Sequence, residues 1–197
     1  MPRAADPGLD APVRDTLLRA AIVDAARRTT ASDGWSAVTM SRLASDVGVS
    51  RQTVYNEVGS KPELAQALVL DELGRFLARV DEGFDAHPND VHAAVETAVR
   101  GVLDFAHDNA LIAAIVAGTH GADTDLLPLL TTSSLPLLDV ARAVVARRVA
   151  AHCDDEARVA STTDVLVRVT LSHVMQPGDT PARTATQLAD AVQRLLA

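Results

Sequence analysis

Apolar residues recur every three or four positions along most of the chain, the spacing at which side chains share one face of an α-helix. The first predicted helix begins at Asp10 and Pro12, has an apolar stripe between Val13 and Ala26, and ends at Gly34. No useful length of sequence alternates apolar and polar residues with the period of two that strands need. The pattern therefore predicts an all-α fold of about nine or ten helices.

Capping residues, glycines and prolines divide the rest of this pattern into separate helices. The further predicted helices cover residues 39–47, 51–57, 60–84, 91–107, 109–117, 126–130, 136–152, 154–175 and 180–196. Ser60 and Glu63 have the spacing of a capping box, in which the two side chains bind free backbone N–H groups at a helix start. Residues 1–10 have no such periodicity, and we expect a disordered leader there.

Composition narrows the class of protein. Hydrophobic residues make up 48% of the chain and charged residues 22%, the balance of a folded globular protein. The single cysteine, Cys153, cannot form a disulfide within one chain, which fits a reducing compartment. The first residues do not resemble a signal peptide, and the longest apolar run, residues 110–117, is too short to cross a membrane. We therefore expect a cytoplasmic protein without a membrane partner.

The charge is distributed unevenly along the chain. The formal net charge is −8, but residues 1–61 contain eight basic groups against seven acidic ones, whereas residues 62–197 contain ten against nineteen. Nucleic acid binding needs a local excess of basic side chains rather than a basic total. If this protein binds DNA, the N-terminal part therefore binds it.

Residues 39–56 have the pattern of two short helices that meet at a steep angle, a helix-turn-helix. Ala44 provides the small side chain that a close helix approach requires, and Gly48 permits a left-handed backbone at the turn. Val54, six residues after the glycine, packs the second helix on the first. The alternative from these three residues alone is an ordinary pair of short helices in a bundle.

The outward residues of the second helix favour the DNA-binding interpretation. Its polar side chains suit bases and phosphates, and they are Arg51, Gln52, Thr53, Tyr55 and Asn56. The leading end of a recognition helix is the part that touches base edges in the major groove. Lys61, the only lysine of the chain, lies at the start of the next helix, where backbone N–H groups also favour phosphate.

Taken together, these residues resemble the TetR (tetracycline repressor) family of bacterial regulators over about residues 14–68. The matching elements are Gly34-Trp35, Val38-Thr39-Met40, Leu43-Ala44, Val47-Gly48-Val49-Ser50, Thr53-Val54-Tyr55 and Ser60-Lys61 followed by Leu64. Val58 departs from the pattern, because the family usually has phenylalanine there. Asn56 and Glu57 stand where basic or aromatic residues are common, and we expect Glu57 to face away from DNA.

The resemblance implies a homodimeric repressor that binds a double-stranded DNA operator. The positions that it assigns to base contact are Arg51, Gln52 and Asn56. The positions that it assigns to phosphate contact are Thr39, Ser50, Thr53, Tyr55 and Lys61. Thr39 and Ser50 have an alternative role as helix caps, and Tyr55 has one as a half-buried core residue.

The resemblance also implies that the C-terminal helices build the dimer interface and a pocket for a small-molecule effector of unknown identity. The pocket positions on that account are Phe76, Phe84, Leu103, Phe105, His107, Val116, His120 and Leu127. Arg100, Asp104 and His107 share one helix face, which is either a solvated stripe with an ion pair or a polar group that orients the effector. Aromatic residues make up only 3% of the chain, which points to an aliphatic or otherwise non-stacking ligand.

The predicted domains are a helix-turn-helix domain at residues 11–60 and an effector-binding and dimerisation domain at residues 61–197. Within the second, the helices at 136–152 and 154–175 are apolar over more than one face. Such helices suit burial on two sides, and we therefore expect the partner subunit to pack there.

Other kinds of site have little support in the sequence. Motifs of hydrolases, P-loop nucleotidases, zinc peptidases and dinucleotide-binding enzymes are absent, so we expect no enzyme and no cofactor. None of the six histidines forms a close i, i+4 pair, so we expect no metal site. Trp35 and Cys153 are expected to be packed apolar residues. A helical lipid- or partner-binding module that has lost DNA binding is the remaining alternative, and the intact polar face of residues 51–56 argues against it.

Overall fold

The computed structural model describes residues 11–117 and 135–197. These residues form nine α-helices and contain no strand, which confirms the all-α fold class. The helices are α1 (Ala11–Asp33), α2 (Met40–Val47), α3 (Arg51–Val58), α4 (Lys61–Ala86), α5 (Val91–His107), α6 (Ala110–Ala117), α7 (Leu135–Val149), α8 (Glu156–Met175) and α9 (Pro181–Leu196). The predicted helix at residues 126–130 lies outside the described residues.

Capping side chains explain where several helices begin later than the sequence pattern suggested. Asp155 lies before α8, and its carboxylate accepts a hydrogen bond from the backbone N–H of Arg158 at 3.1 Å. Thr180 caps α9 in the same way. The pattern also missed the short 3₁₀ turn Trp35–Ala37 and counted Ala150–His152, a second 3₁₀ turn, as the end of the predicted helix at 136–152.

The described residues divide into two compact units, and each has its own core. The first unit comprises residues 11–71 and 110–117, that is α1, α2, α3, the start of α4, and α6. Its fully buried side chains come from all of these helices and include Ile22, Leu43, Val54, Leu64, Leu68 and Leu111. The bulky aliphatic side chains at these positions hold the short helices α2 and α3 together.

Only the second half of the apolar stripe on α1 is buried. Ile22, Ala25 and Ala26 are almost completely inaccessible, whereas Val13 and Leu17 remain 45% and 54% exposed. The predicted stripe is therefore packed only over its second half. Among residues 13–33 of α1, the buried side chains all lie at Ile22 or later.

The second unit comprises residues 72–109 and 135–197. In it α5 packs along α9, α7 packs on α8, and α8 also contacts α5 and α9. Gly83 of α4 lies so close to α5 that an added Cβ would be 2.5 Å from the backbone nitrogen of Ala98. No helix among the described residues combines the length and apolar character that crossing a membrane would require.

Candidate nucleic-acid interface

The turn between α2 and α3 has the geometry that the sequence predicts. Gly48 adopts the left-handed conformation, with φ of 78° and ψ of 33°. Its N–H and that of Val49 both donate to the carbonyl of Ala44 at 3.0 Å, which satisfies the end of α2. Leu43 and Ala44 are buried beneath the turn. The prediction of a tight turn at this glycine is confirmed.

Both short helices begin at a capping hydroxyl. The Thr39 side chain accepts from the N–H of Arg42 at 3.1 Å, and the Ser50 Oγ accepts from the N–H of Thr53 at 3.0 Å. Ser50 Oγ also lies 2.8 Å from the hydroxyl of Thr53. The capping role predicted for Thr39 and Ser50 is therefore confirmed, and both residues lie on exposed positions where a phosphate can also reach them.

Helix α3 buries one face and exposes the other. Val54 is fully buried and Val58 is 2% exposed, so the smaller side chain at position 58 still fills its place in the core. On the other face Arg51, Gln52 and Asn56 are exposed, and Tyr55 is 39% exposed. The residues predicted to meet DNA therefore lie together on the open side of this helix.

The exposed side chains of α3 pair with one another one helical turn apart. An Arg51 guanidinium nitrogen donates to the Tyr55 hydroxyl at 3.3 Å, and the guanidinium carbon lies 5.5 Å from the Tyr55 ring centroid. The Gln52 amide nitrogen donates to the Asn56 side-chain oxygen at 3.0 Å. These contacts restrict the rotamers of all four residues and leave further N–H donors on Arg51, Gln52 and Asn56.

The C-terminal end of α3 is supported by a residue that sequence reasoning missed. Arg19 of α1 donates a hydrogen bond to the backbone carbonyl of Glu57. A guanidinium at this position complements the negative end of the helix dipole. The two residues are 38 positions apart, and no local motif links them. The Glu57 side chain is half-buried, unlike its neighbour Asn56.

At the start of α4, the glutamate of the predicted capping box makes its contact with the serine. A Glu63 carboxylate oxygen accepts from the backbone N–H and from the hydroxyl of Ser60, both at 2.7 Å. These two hydrogen bonds, the backbone one foremost, lower the pKa of Glu63. The negative charge also lies in the first turn of α4, where the helix dipole favours it.

Lys61 turns toward the protein rather than standing free in solvent. Its Nζ donates to the backbone carbonyl of Trp35 at 3.0 Å and lies 5.0 Å from the centroid of the Trp35 ring. Trp35 itself is 3% exposed, so its expected core position is confirmed. Lys61 is half-buried, and its two remaining ammonium protons are available to another acceptor.

Four of the predicted effector positions lie inside the second unit. The Phe76 and Phe105 rings meet edge to face, with centroids 5.0 Å apart, and both side chains are half-buried. Phe84 and Leu103 are deeply buried, at 4% and 6% exposure. Phe84 and Leu103 thus belong to the core of this unit, whereas Phe76 and Phe105 pack against each other.

The polar effector positions lie on the surface of α5. Arg100 and Asp104 form an ion pair at 3.5 Å, and both are more than half exposed, while His107 is exposed on the same face. This geometry matches the solvated alternative, and an effector role for these residues stays a prediction. Val116 belongs to α6. The predicted positions His120 and Leu127 lie outside the described residues.

The described residues contain no metal-binding cluster. No three His, Cys, Asp or Glu side chains of residues 11–117 and 135–197 come together in a way that could hold a metal ion. Cys153 is partly buried against the core of the second unit, with its thiol 3.9 Å from the carbonyl of Asp155. It therefore packs as a small apolar side chain, as expected.

Two family models match the chain in sequence. Residues 22–68 match the bacterial regulatory proteins of the tetR family, and residues 90–194 match the C-terminal domain of the bacterial tetracyclin repressor. The first match contains the whole helix-turn-helix described above. The second covers α5, α6, α7 and α8 and almost all of α9.

Individual relatives agree with these models. The HTH-type transcriptional regulator AlkX of Mycobacterium tuberculosis (strain ATCC 25618 / H37Rv) is 34% identical over 177 residues, which are 88% of this chain and 82% of that protein. The crystal structure of the TetR family repressor AlkX from Dietzia sp. strain DQ12-45-1b, implicated in biodegradation of n-alkanes, has a TM-score of 0.73 and 28% identity. That match covers 90% of this chain and 94% of the other.

A more distant structure shows the same fold. The fatty acid degradation regulator FadR from Bacillus halodurans has a TM-score of 0.53 at 16% identity, over 96% of both chains. The helix-turn-helix geometry, the two family matches and the AlkX relatives lead to one conclusion. The chain belongs to the TetR family of DNA-binding transcription regulators and is not an enzyme.

Proposed function

We propose that this protein is an AlkX-like repressor that binds a pseudo-palindromic operator as a homodimer and leaves it when an aliphatic effector binds. The observation that supports the operator contact most directly is the open face of α3, where Arg51, Gln52 and Asn56 are exposed while Val54 and Val58 are buried. A helix that is anchored on one side and polar on the other can enter the major groove.

The chemistry of these side chains suggests what each contacts. A guanidinium pairs with the two acceptors on the major-groove edge of guanine, so we assign Arg51 to a guanine. Side-chain amides suit adenine, so we assign Gln52 and Asn56 to the neighbouring bases. The proposed phosphate contacts are Thr39, Ser50, Thr53, Tyr55 and Lys61. The capping role of Thr39 uses its oxygen as acceptor and leaves the hydroxyl proton for a phosphate, and the hydrogen-bonded hydroxyls of Ser50 and Thr53 leave one proton between them.

The proposed dimer interface is on α7 and α8. Val140 and Val165, one on each helix, are 43% and 45% exposed although both are large apolar residues. Asp164, which precedes Val165 in α8, accepts hydrogen bonds from Arg142 of α7 and from Arg168, so these three charged groups are already paired. Helices with exposed apolar residues and neutralised charges suit packing against a second copy of the chain. The resulting dimer would place the two recognition helices roughly 34–36 Å apart on the operator.

The proposed effector is an aliphatic molecule that binds in the second unit. The similar AlkX repressor of Dietzia is implicated in biodegradation of n-alkanes, which supports this class of ligand, as does the low aromatic content of the chain. Helix α4 is continuous from Lys61 to Ala86 and contributes residues to both units, so a change in its tilt would alter operator fit. Such coupling is typically about 1–3 kcal/mol. An effector that bound tightly without changing operator affinity would contradict this mechanism.

The decisive experiment replaces Arg51 with alanine. Arg51→Ala should lower affinity for the operator upstream of the protein's own gene by about 1–3 kcal/mol and abolish discrimination at one base pair of each half-site. Operator variants at each position, measured by fluorescence anisotropy, would locate that base pair. Arg28→Ala is the matched control, because Arg28 is an exposed α1 residue that pairs with Asp24. Unchanged base discrimination in Arg51→Ala would reject the proposed contact.

A further inference from the structure

Lys61 and Trp35 form a contact that phosphate binding alone does not explain. Trp35 is the first residue of the 3₁₀ turn Trp35–Ala37, and Lys61 is the first residue of α4, 26 positions later. The Lys61 ammonium reaches two parts of the same residue, the carbonyl at 3.0 Å and the ring at 5.0 Å. Both distances are those of attractive contacts, a hydrogen bond and a cation–π interaction.

The Trp35 carbonyl is also part of the turn that leads into the helix-turn-helix. It accepts the backbone N–H of Val38 at 3.1 Å, and Val38 is 1% exposed immediately before the cap of α2. The carbonyl therefore binds Val38 and Lys61 together, one on each lone pair. The ring below it is buried, so the turn cannot move away from Lys61 without disturbing the core of the first unit.

We propose that Lys61 is a positioning residue of the DNA-binding unit. Its ammonium holds the start of α4 against the turn that precedes α2, and so it fixes where α2 and α3 begin relative to α4. This role is additional to a phosphate contact and is present before DNA binds. It depends on the proposed function only in the operator measurement, because the inward contact can be tested in the protein alone.

Lys61→Met tests the inward contact without DNA, because methionine keeps most of the aliphatic stem and loses the cation. Hydrogen exchange of the full-length variant should be faster at the Val38 and Ala37 amides by about two- to fivefold, the effect of losing a partly exposed cation–π contact. Trp35, the only tryptophan, should also change its fluorescence. Arg28→Met, which removes an exposed cation elsewhere in the unit, should change neither signal. Unchanged exchange in Lys61→Met would overturn the proposal.

The salt dependence of operator binding separates the two roles of Lys61. The contribution of phosphate neutralisation to binding vanishes when the logarithm of the binding constant is extrapolated to about 1 M salt. Losing one phosphate contact reduces the steepness of the plot against the logarithm of salt concentration by about 0.9. The positioning role predicts that, at the extrapolated 1 M salt, Lys61→Met still binds the operator about two- to fivefold more weakly than the wild type. The reason is the loss of the cation–π contact with Trp35. If the wild-type and variant lines meet there, Lys61 acts on phosphate only. A wild-type protein that fails to bind at low salt would instead reject the proposed operator.

A double-mutant cycle with Trp35→Leu assigns the effect to the ring. If the Lys61 ammonium acts through the indole, Lys61→Met should have a smaller effect in the Trp35→Leu background than in the wild type. Equal effects in both backgrounds would overturn the cation–π part of the proposal. The single variant and its exchange rates stand as a test even if Trp35→Leu fails to fold.

Discussion

The two units of this protein use polar side chains in different ways. On the proposed DNA-binding face the contacts run along one helix, from Arg51 to Tyr55 and from Gln52 to Asn56. In the second unit the corresponding contacts join helices that are far apart in the sequence, such as Arg148 of α7 with α4. The first pattern leaves donors available for a ligand, whereas the second consumes them to hold the structure together.

Arg148 shows what the second unit gains from such contacts. Its guanidinium donates to Asp81 and to Asp85 of α4, both at 2.7 Å. These hydrogen bonds, the one to Asp81 foremost, raise the pKa of Arg148. His92 and Asp190 link α5 to α9 at 3.0 Å in a comparable way. The second unit therefore joins its helices through such long-range pairs, whereas the open face of α3 uses pairs one turn apart on a single helix.

Gly83 offers the strongest test of this difference, because it permits the close approach of α4 and α5. Gly83→Ala should destabilise the second unit by about 1–3 kcal/mol, since the added methyl meets the backbone of Ala98, which cannot move aside as a side chain would. Denaturant unfolding followed by circular dichroism would measure the loss.

Gly74→Ala is the matched control on the same helix. An added Cβ at Gly74 has nothing within 4 Å, so alanine should stabilise the protein by about 0.5–1 kcal/mol through its better helix propensity. If both alanines have the same effect, helix packing at Gly83 is not what distinguishes the second unit.

The same difference explains how much could be predicted from sequence. Thr39, Ser50 and Gly48 act through backbone groups within a few residues, so a short motif identified their roles. Arg19, which supports the end of α3, acts across 38 positions and left no local signal. Predicting that contact requires knowing how α1 lies against α3, which depends on the packing of the whole first unit.

The predicted effector positions also depend on contacts between distant helices, which local sequence patterns do not reveal. The family resemblance placed Phe84 and Leu103 at pocket positions of the second unit, and both are buried. It did not show that Phe76 and Phe105 face each other, because they come from α4 and α5. Periodicity reports which side of a helix is apolar and not which neighbour that side meets.

Gly48 provides a test of the local character of the first unit. Gly48→Ala should cost about 1–2 kcal/mol, the penalty of a left-handed backbone for a residue with a Cβ. Space is not the reason, because an added Cβ has nothing within 4 Å. Gly48→Asn should cost less, since asparagine adopts this conformation more readily. Operator affinity should fall in the same order, and a larger loss for asparagine than for alanine would show that the backbone conformation is not the cause.

The smallest expected effect concerns the carboxylate that caps α4. Because hydrogen bonds from Ser60 lower the pKa of Glu63, ionised Glu63 stabilises the folded protein above its unfolded-state pKa, about 4.3. That contribution is lost as the pH falls through the lower, folded-state pKa. The unfolding free energies of wild type and Glu63→Gln should therefore differ near neutral pH and converge in acid.

Glu156→Gln is the control, because Glu156 occupies the first turn of α8 and makes no side-chain hydrogen bond within the described residues. A difference that persisted unchanged into acid would mean that Glu63 acts through packing and not through its charge, and the start of α4 would then resemble the second unit more than the first.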